Sequence, residues 1–197
     1  MLPILFSAYA LITSVAAAPH GKHVQAASSQ TYNLQHAIDH MNLDAAPSPS
    51  PLAAPEPGME LFQVVVGRGT QNYTCDVSNA TAAPQAVGAL ATLYNVTELA
   101  TKRPALLRTL TRLAMFMDPD APCVQGSEYI QGLISGYHYF LDGTTPYFNL
   151  DTDAHSYGAG AVEKTSVADA PADATPGQPG QAYGAAAWLM LSKNSGD

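Results

Sequence analysis

Between Ala45 and Gly58 the chain carries five prolines, Pro47, Pro49, Pro51, Pro55 and Pro57. Proline fixes φ and removes an amide donor, so neither a helix nor a central strand can run through such a stretch. It favours an extended, semi-rigid spacer instead. The run therefore splits the 197 residues into an N-terminal part and a body that begins near Met59. A second Pro/Gly/Ala stretch, Ala168 to Gln181, interrupts that body near its far end. What lies between must be built from short segments.

Within the body, Glu60 to Val66 is rich in β-branched residues and reads as a strand stopped by Gly67 and Gly69. Thr70 to Asp76 reads as a second strand. Ala86 to Tyr94 reads as a third, with Val87, Ala89, Ala91 and Leu93 sharing one face. Pro104 suits a first helical turn, and Leu106, Leu107, Leu110, Leu113, Ala114 and Met117 carry a helical period up to Asp118-Pro119. Tyr137 to Leu141 and Pro146 to Leu150 flank Asp142-Gly143-Thr144-Thr145, the pattern of a β-hairpin with a four-residue loop. Ala185 to Leu191 reads as a last apolar strand around the lone Trp188. The expected fold is mainly β, a single β-sandwich or barrel-like domain with one short helix, preceded by a signal peptide and the Pro-rich linker.

Composition narrows the function. Apolar residues make up 47% of the chain, but much of that is alanine, and larger apolar side chains amount to about 30%, enough for one core. Charged residues are 12%, which excludes a highly charged disordered tail or a coiled coil. Sixteen acidic against eight basic residues give a net charge of −8. No basic stripe is present to neutralise phosphates, so nucleic acid is not an expected partner.

Leu2 to Val15 is uncharged and mostly apolar, and Ala16, Ala17 and Ala18 follow, the pattern of a secretory signal peptide over residues 1–18. The run is shorter than the ~20 residues a spanning helix needs, so no membrane segment is expected once it is cut. Residues 19–58 then hold a polar tail, a short helix with Leu34, Ile38 and Met41 at i, i+4 and i+7, and the linker. Residues 59–197 form the expected secreted domain. Asn72-Tyr73-Thr74, Asn79-Ala80-Thr81 and Asn95-Val96-Thr97 are N-glycosylation sequons. Cys75 and Cys123 are the two cysteines. In an oxidising compartment one disulfide closing a loop of about 50 residues is the simple reading, worth about 3–4 kcal/mol. Free or differently partnered thiols are the alternative.

Gly67-Arg68-Gly69-Thr70-Gln71-Asn72-Tyr73-Thr74-Cys75, Gly88-Ala89-Leu90-Ala91-Thr92-Leu93-Tyr94, Tyr137-His138-Tyr139-Phe140, Thr145-Pro146-Tyr147-Phe148-Asn149-Leu150 and Ala170-Pro171-Ala172-Asp173-Ala174-Thr175-Pro176-Gly177 resemble secreted fungal proteins of the domain-of-unknown-function 3455 family. The resemblance covers roughly residues 60–191. It implies a small, mostly β secreted domain with no established activity. Relatives usually have His where Tyr137 stands. Their pattern also continues past Trp188-Leu189-Met190-Leu191 into further strands, so the resemblance implies a truncated or mis-spliced product with a sheet edge or core face left open.

Some relatives carry a malate dehydrogenase label. Dinucleotide binding needs G-x-G-x-x-G between a strand and a helix, so that the pyrophosphate meets the helix N-terminus. Gly67-Arg68-Gly69-Thr70-Gln71-Asn72 lacks the third glycine, and strand is expected after it. A glycine-containing turn or bulge is the better reading, and no cofactor is expected.

Other constellations are weak. His36 and His40 stand one helical turn apart, but no third ligand can be named, so no metal site is assigned. His20 could become an N-terminal copper ligand only after removal of Ala18-Pro19, and its surroundings are unlike such sites. In Tyr137-His138-Tyr139-Phe140, alternation sets His138 and Phe140 on one face and Tyr137, Tyr139 and Leu141 on the other. Tyr137, Tyr139 and Tyr147 could form a stacking platform for sugar rings, since aromatic faces offer apolar area with a hydroxyl handle. Arg68 and His138 are further ligand-binding candidates, although Arg68 could equally pair with Asp76 or Glu60. With no G-x-S-x-G elbow and no convincing carboxylate pair, the expectation is a non-enzymatic module at the cell surface or in the matrix, with cell-wall or host glycan as ligand. The alternative is a secreted enzyme acting on polysaccharide or a small metabolite.

Overall fold

The computed structural model describes residues 9–12, 61–168 apart from 75, 80, 83, 84, 115, 117 and 119, and 187–196. The polar tail, the 34–43 helix, the proline linker, most of the leader and most of the 168–181 loop lie outside these.

Seven strands form one antiparallel sheet in the order of the sequence: β1 (Tyr9–Ile12), β2 (Gln63–Thr74), β3 (Gln85–Asn95), β4 (Ile134–Phe140), β5 (Pro146–Asp151), β6 (Ser156–Ala168) and β7 (Trp188–Gly196). β1 falls inside the run read as a leader and pairs with Gln63–Val66. Between β3 and β4 the chain makes four short helices, α1 (Thr97–Lys102), α2 (Pro104–Ala114), α3 (Pro122–Gln125) and α4 (Glu128–Gln131). The mainly β body is thus one continuous sheet that is not a closed barrel.

The sheet nevertheless coils strongly. The Phe62 ring, just before β2, meets Tyr157 of β6 edge-on at 4.9 Å, and Tyr157 stacks on His155 at 3.9 Å. Val162 of β6 and Leu191 of β7 pack against a cluster of Val65, Leu93, Phe148 and Leu150 from β2, β3 and β5. Elements distant in the strand order therefore share one inner core. Register shifts within β2–β3, β3–β4, β5–β6 and β6–β7 supply the extra twist.

Glycine makes the coil possible. A side chain at Gly69 would collide with the backbone of Leu90 and Ala91. At Gly136, whose φ is +146°, it would strike the Asn149 carbonyl and Leu150. This corrects the expectation that Gly67 and Gly69 end a strand. Both lie inside the twelve-residue β2, and at Gly69 the neighbouring strand comes too close for a Cβ. Because the Gly67–Asn72 stretch is strand throughout, no helix N-terminus follows it to receive a pyrophosphate.

The run from Gln63 to Gly67 is buried on both faces, the pattern of a strand covered on each side. Val65 faces the inner core. Val64 and Val66 join Leu61, Val96, Ala100 and Leu107 in a second cluster, where α1 and α2 cover the outer face of β2. Each Val or Leu side chain among them contributes about 1.5–3 kcal/mol when fully buried. Thr97 ties the layers together, its hydroxyl accepting the Val64 amide at 2.8 Å.

Three further elements differ from expectation. β6 was not expected at all, because Gly158, Ala159, Gly160 and Ala161 carry no apolar alternation. β7 starts at Trp188 rather than Ala185 and runs on to Gly196. One helix was expected in the body, and among the described residues four short ones form, of which only α2 has enough apolar period to be read from sequence.

Candidate binding face on the outer sheet

Antiparallel register assigns side chains to faces, since directly paired residues project the same way. Arg68, Thr92, Tyr137 and Asn149 form one row across β2 to β5. Thr70, Leu90, Tyr139 and Tyr147 form the next. Tyr94, paired with Val66, belongs to the same outer face. Two adjacent rows therefore bring Tyr137, Tyr139 and Tyr147 together, with Tyr94 beside them.

The Tyr139 and Tyr147 rings lie 5.2 Å apart, tilted by 39°. Tyr137 is 39% exposed and Leu90 62%, so the face offers aromatic and aliphatic surface to solvent. Thr92 and Asn149 add small polar groups between the rings. Burial is the main influence raising the Tyr94 phenol above its usual range, with Tyr137 and Asp120 adding to the rise and Arg68 opposing it. Tyr94, Tyr137, Arg68 and Asp120 therefore act on one another at one end of this face.

Arg68 reaches that end but is engaged in the fold. Its Nε donates to the Ala114 carbonyl at 2.7 Å, and Nη1 donates to the Gly69 carbonyl at 3.3 Å. The first bond satisfies a free carbonyl at the C-terminus of α2, where the helix dipole favours a cation. Desolvation lowers its pKa, opposed by Asp118 and Tyr94. Its Nε–H thus fastens a helix end.

His138 is placed on the other side of the sheet. Paired with Phe148, it stacks on that ring at 4.3 Å, and its Nδ1 lies 3.0 Å from the Tyr147 carbonyl. Burial lowers its pKa more than the bond to Tyr147 raises it. The neutral ring donates from Nδ1 and extends the inner core. The structure therefore brings the three tyrosines together and separates His138 from them. Leu90, Thr92 and Tyr94 were missed by sequence reading. Their period-two spacing on β3 was the available signal, but only the register with β4 places them beside Tyr137 and Tyr139.

Of the sequon asparagines, Asn72 is exposed on the outer face two residues beyond Thr70, and Asn79 sits in an exposed turn where its Oδ1 accepts from the Thr81 amide and hydroxyl. Asn95 is exposed at the end of β3, and its Oδ1 accepts the Thr97 amide at 2.9 Å. The expected Cys75–Cys123 bridge is not formed. Cys123 is a free thiol at an exposed position of α3, and Cys75 lies outside the described residues. Among the described residues no group of three or more His, Cys, Asp or Glu could hold a metal, and no helix is long and apolar enough to cross a membrane.

Residues 55–197 match the model of a family described as "Protein of unknown function (DUF3455)". The chain belongs to this family. Comparison with curated proteins and with solved structures finds no match in either. The family match spans every strand from β2 to β7, and so the whole tyrosine face of this DUF3455 member.

Proposed function

We propose that this chain is a secreted, extracellular binding module that takes carbohydrate of a cell wall, cell surface or host matrix on its outer tyrosine face. The observation that carries the reading is the juxtaposition of Tyr137, Tyr139 and Tyr147 on two adjacent rows, with exposed Leu90 and the polar Thr92 and Asn149 among them. Sugar rings present apolar C–H faces edged by hydroxyls. Neighbouring tyrosines meet the first with ring area and the second with phenol groups. Leu2 to Ala18 and the three sequons support export and an extracellular setting.

A glycan array probed with the exported, glycosylated chain tests this reading. Retention on at least one wall or matrix polysaccharide is the expected result. Absence of retention across the array removes carbohydrate as the ligand class.

A further inference from the structure

The outer face continues one row past the tyrosines. Asn72 pairs with Gly88, two residues along each strand from the Thr70 and Leu90 pair, and so projects to the same side as Leu90, Tyr139 and Tyr147. The other two sequon asparagines lie elsewhere. Asn95 pairs with Val65 of the inner core, and Asn79 sits in the exposed turn beyond β2.

No side chain stands at Gly88 to hold the Asn72 amide off the sheet. Gly88 is buried, and a Cβ built on it would lie 4.0 Å from the Asn72 Nδ2. The nitrogen that a sugar would be joined to therefore lies over β3. Leu90 is the diagonal neighbour of Asn72, a relation in which residues stand about 7–8 Å apart, and Leu90 pairs directly with Tyr139. Leu90 and Leu141, two residues past Tyr139, are 62% and 57% exposed. A substituent on Nδ2 thus starts beside an open apolar and aromatic surface.

The sequon Asn72-Tyr73-Thr74 says what that substituent is. Glycosylation replaces one Nδ2–H by a bond to the anomeric carbon of a sugar, while the carbon–oxygen bond to a lipid diphosphate donor breaks and the amide proton leaves with the diphosphate. The first sugars bring apolar C–H faces, which pack on a tyrosine ring as those of an external glycan would. Covalent attachment holds them at an effective concentration on the order of millimolar, so even weak stacking is populated.

We propose that the N-glycan on Asn72 folds across Gly88 and packs its first sugars on Leu90 and Tyr139, an internal ligand that an external polysaccharide must displace. The inference rests on the carbohydrate reading and adds to it a regulation, in which the face is partly covered by a glycan of its own chain.

NMR of the exported chain carrying isotope-labelled sugars tests this, with glycopeptide masses reporting occupancy. Asn72 is expected to be glycosylated, and its first sugars to give Overhauser contacts to the Leu90 methyls and the Tyr139 ring. Thr74→Ala removes the sequon but keeps Asn72, and should raise retention on wall polysaccharides severalfold, as should Asn72→Gln. Thr81→Ala, which removes the sequon at Asn79, should change neither reading. An unglycosylated Asn72, a glycosylated one without these contacts, or equal retention with and without its glycan would overturn the proposal. If no form is retained on any polysaccharide, the carbohydrate reading falls and the Overhauser contacts alone decide this one.

Discussion

Buried polar contacts at single residues set how this fold responds to pH and mutation. His138 stacks on Phe148 and has a pKa below its ordinary 6.5 because burial disfavours the imidazolium. As pH falls past that value, the unfolded chain binds a proton that the folded chain still refuses. Stability is therefore present above about pH 6.5, declines below it, and is fully lost from this source once the folded pKa is passed. The urea midpoint should drop between about pH 7.5 and about pH 5 in the wild type, and the drop should shrink in His138→Phe. An unchanged pH dependence in the variant would assign the effect elsewhere. Thr97 is a second such point. Thr97→Ala leaves the Val64 amide without its acceptor in a buried layer and should cost about 1–3 kcal/mol in urea denaturation. Thr97→Ser keeps the hydroxyl and should cost much less.

At the scale of elements, glycine placement governs the coil. Gly136→Ala combines a positive φ with a collision against Asn149 and Leu150. It should destabilise the fold by about 2–4 kcal/mol, read from chemical unfolding, whereas the same change at the open Gly143 should be near neutral. The β4–β5 hairpin was legible because its signals are local. Asp142 accepts the Thr144 and Thr145 amides and hydroxyls, which holds its carboxyl at about 2. α2 was legible for the same reason, through Pro104 and its leucine period. β2 and β6 were not, because a glycine that admits a neighbouring backbone looks locally like a glycine that ends a strand. The tyrosines of β4 could be assigned to one face by alternation alone. Their union with Leu90 and Tyr94 depends on register between β3 and β4, which no local pattern encodes.

Over the whole molecule, coiling gives the sheet two unlike faces. The inner one collects Val65, Leu93, Phe148 and Leu150 into a core that His138 extends. The outer one is covered by α1 and α2 over β2, with Arg68 fastening the end of α2, and is open over the tyrosines of β4 and β5. The same coil that buries apolar side chains thus leaves a rigid aromatic surface in water. Rigid rings lose little conformational freedom on binding, which suits a flat ligand such as a sugar chain. The most direct measurement is affinity electrophoresis or calorimetry of the protein on cell-wall and matrix polysaccharides, beside Tyr139→Ala and Tyr147→Ala. Affinity should fall by about tenfold or more in each variant while the unfolding transition stays cooperative. Equal affinity in wild type and both folded variants would contradict the account.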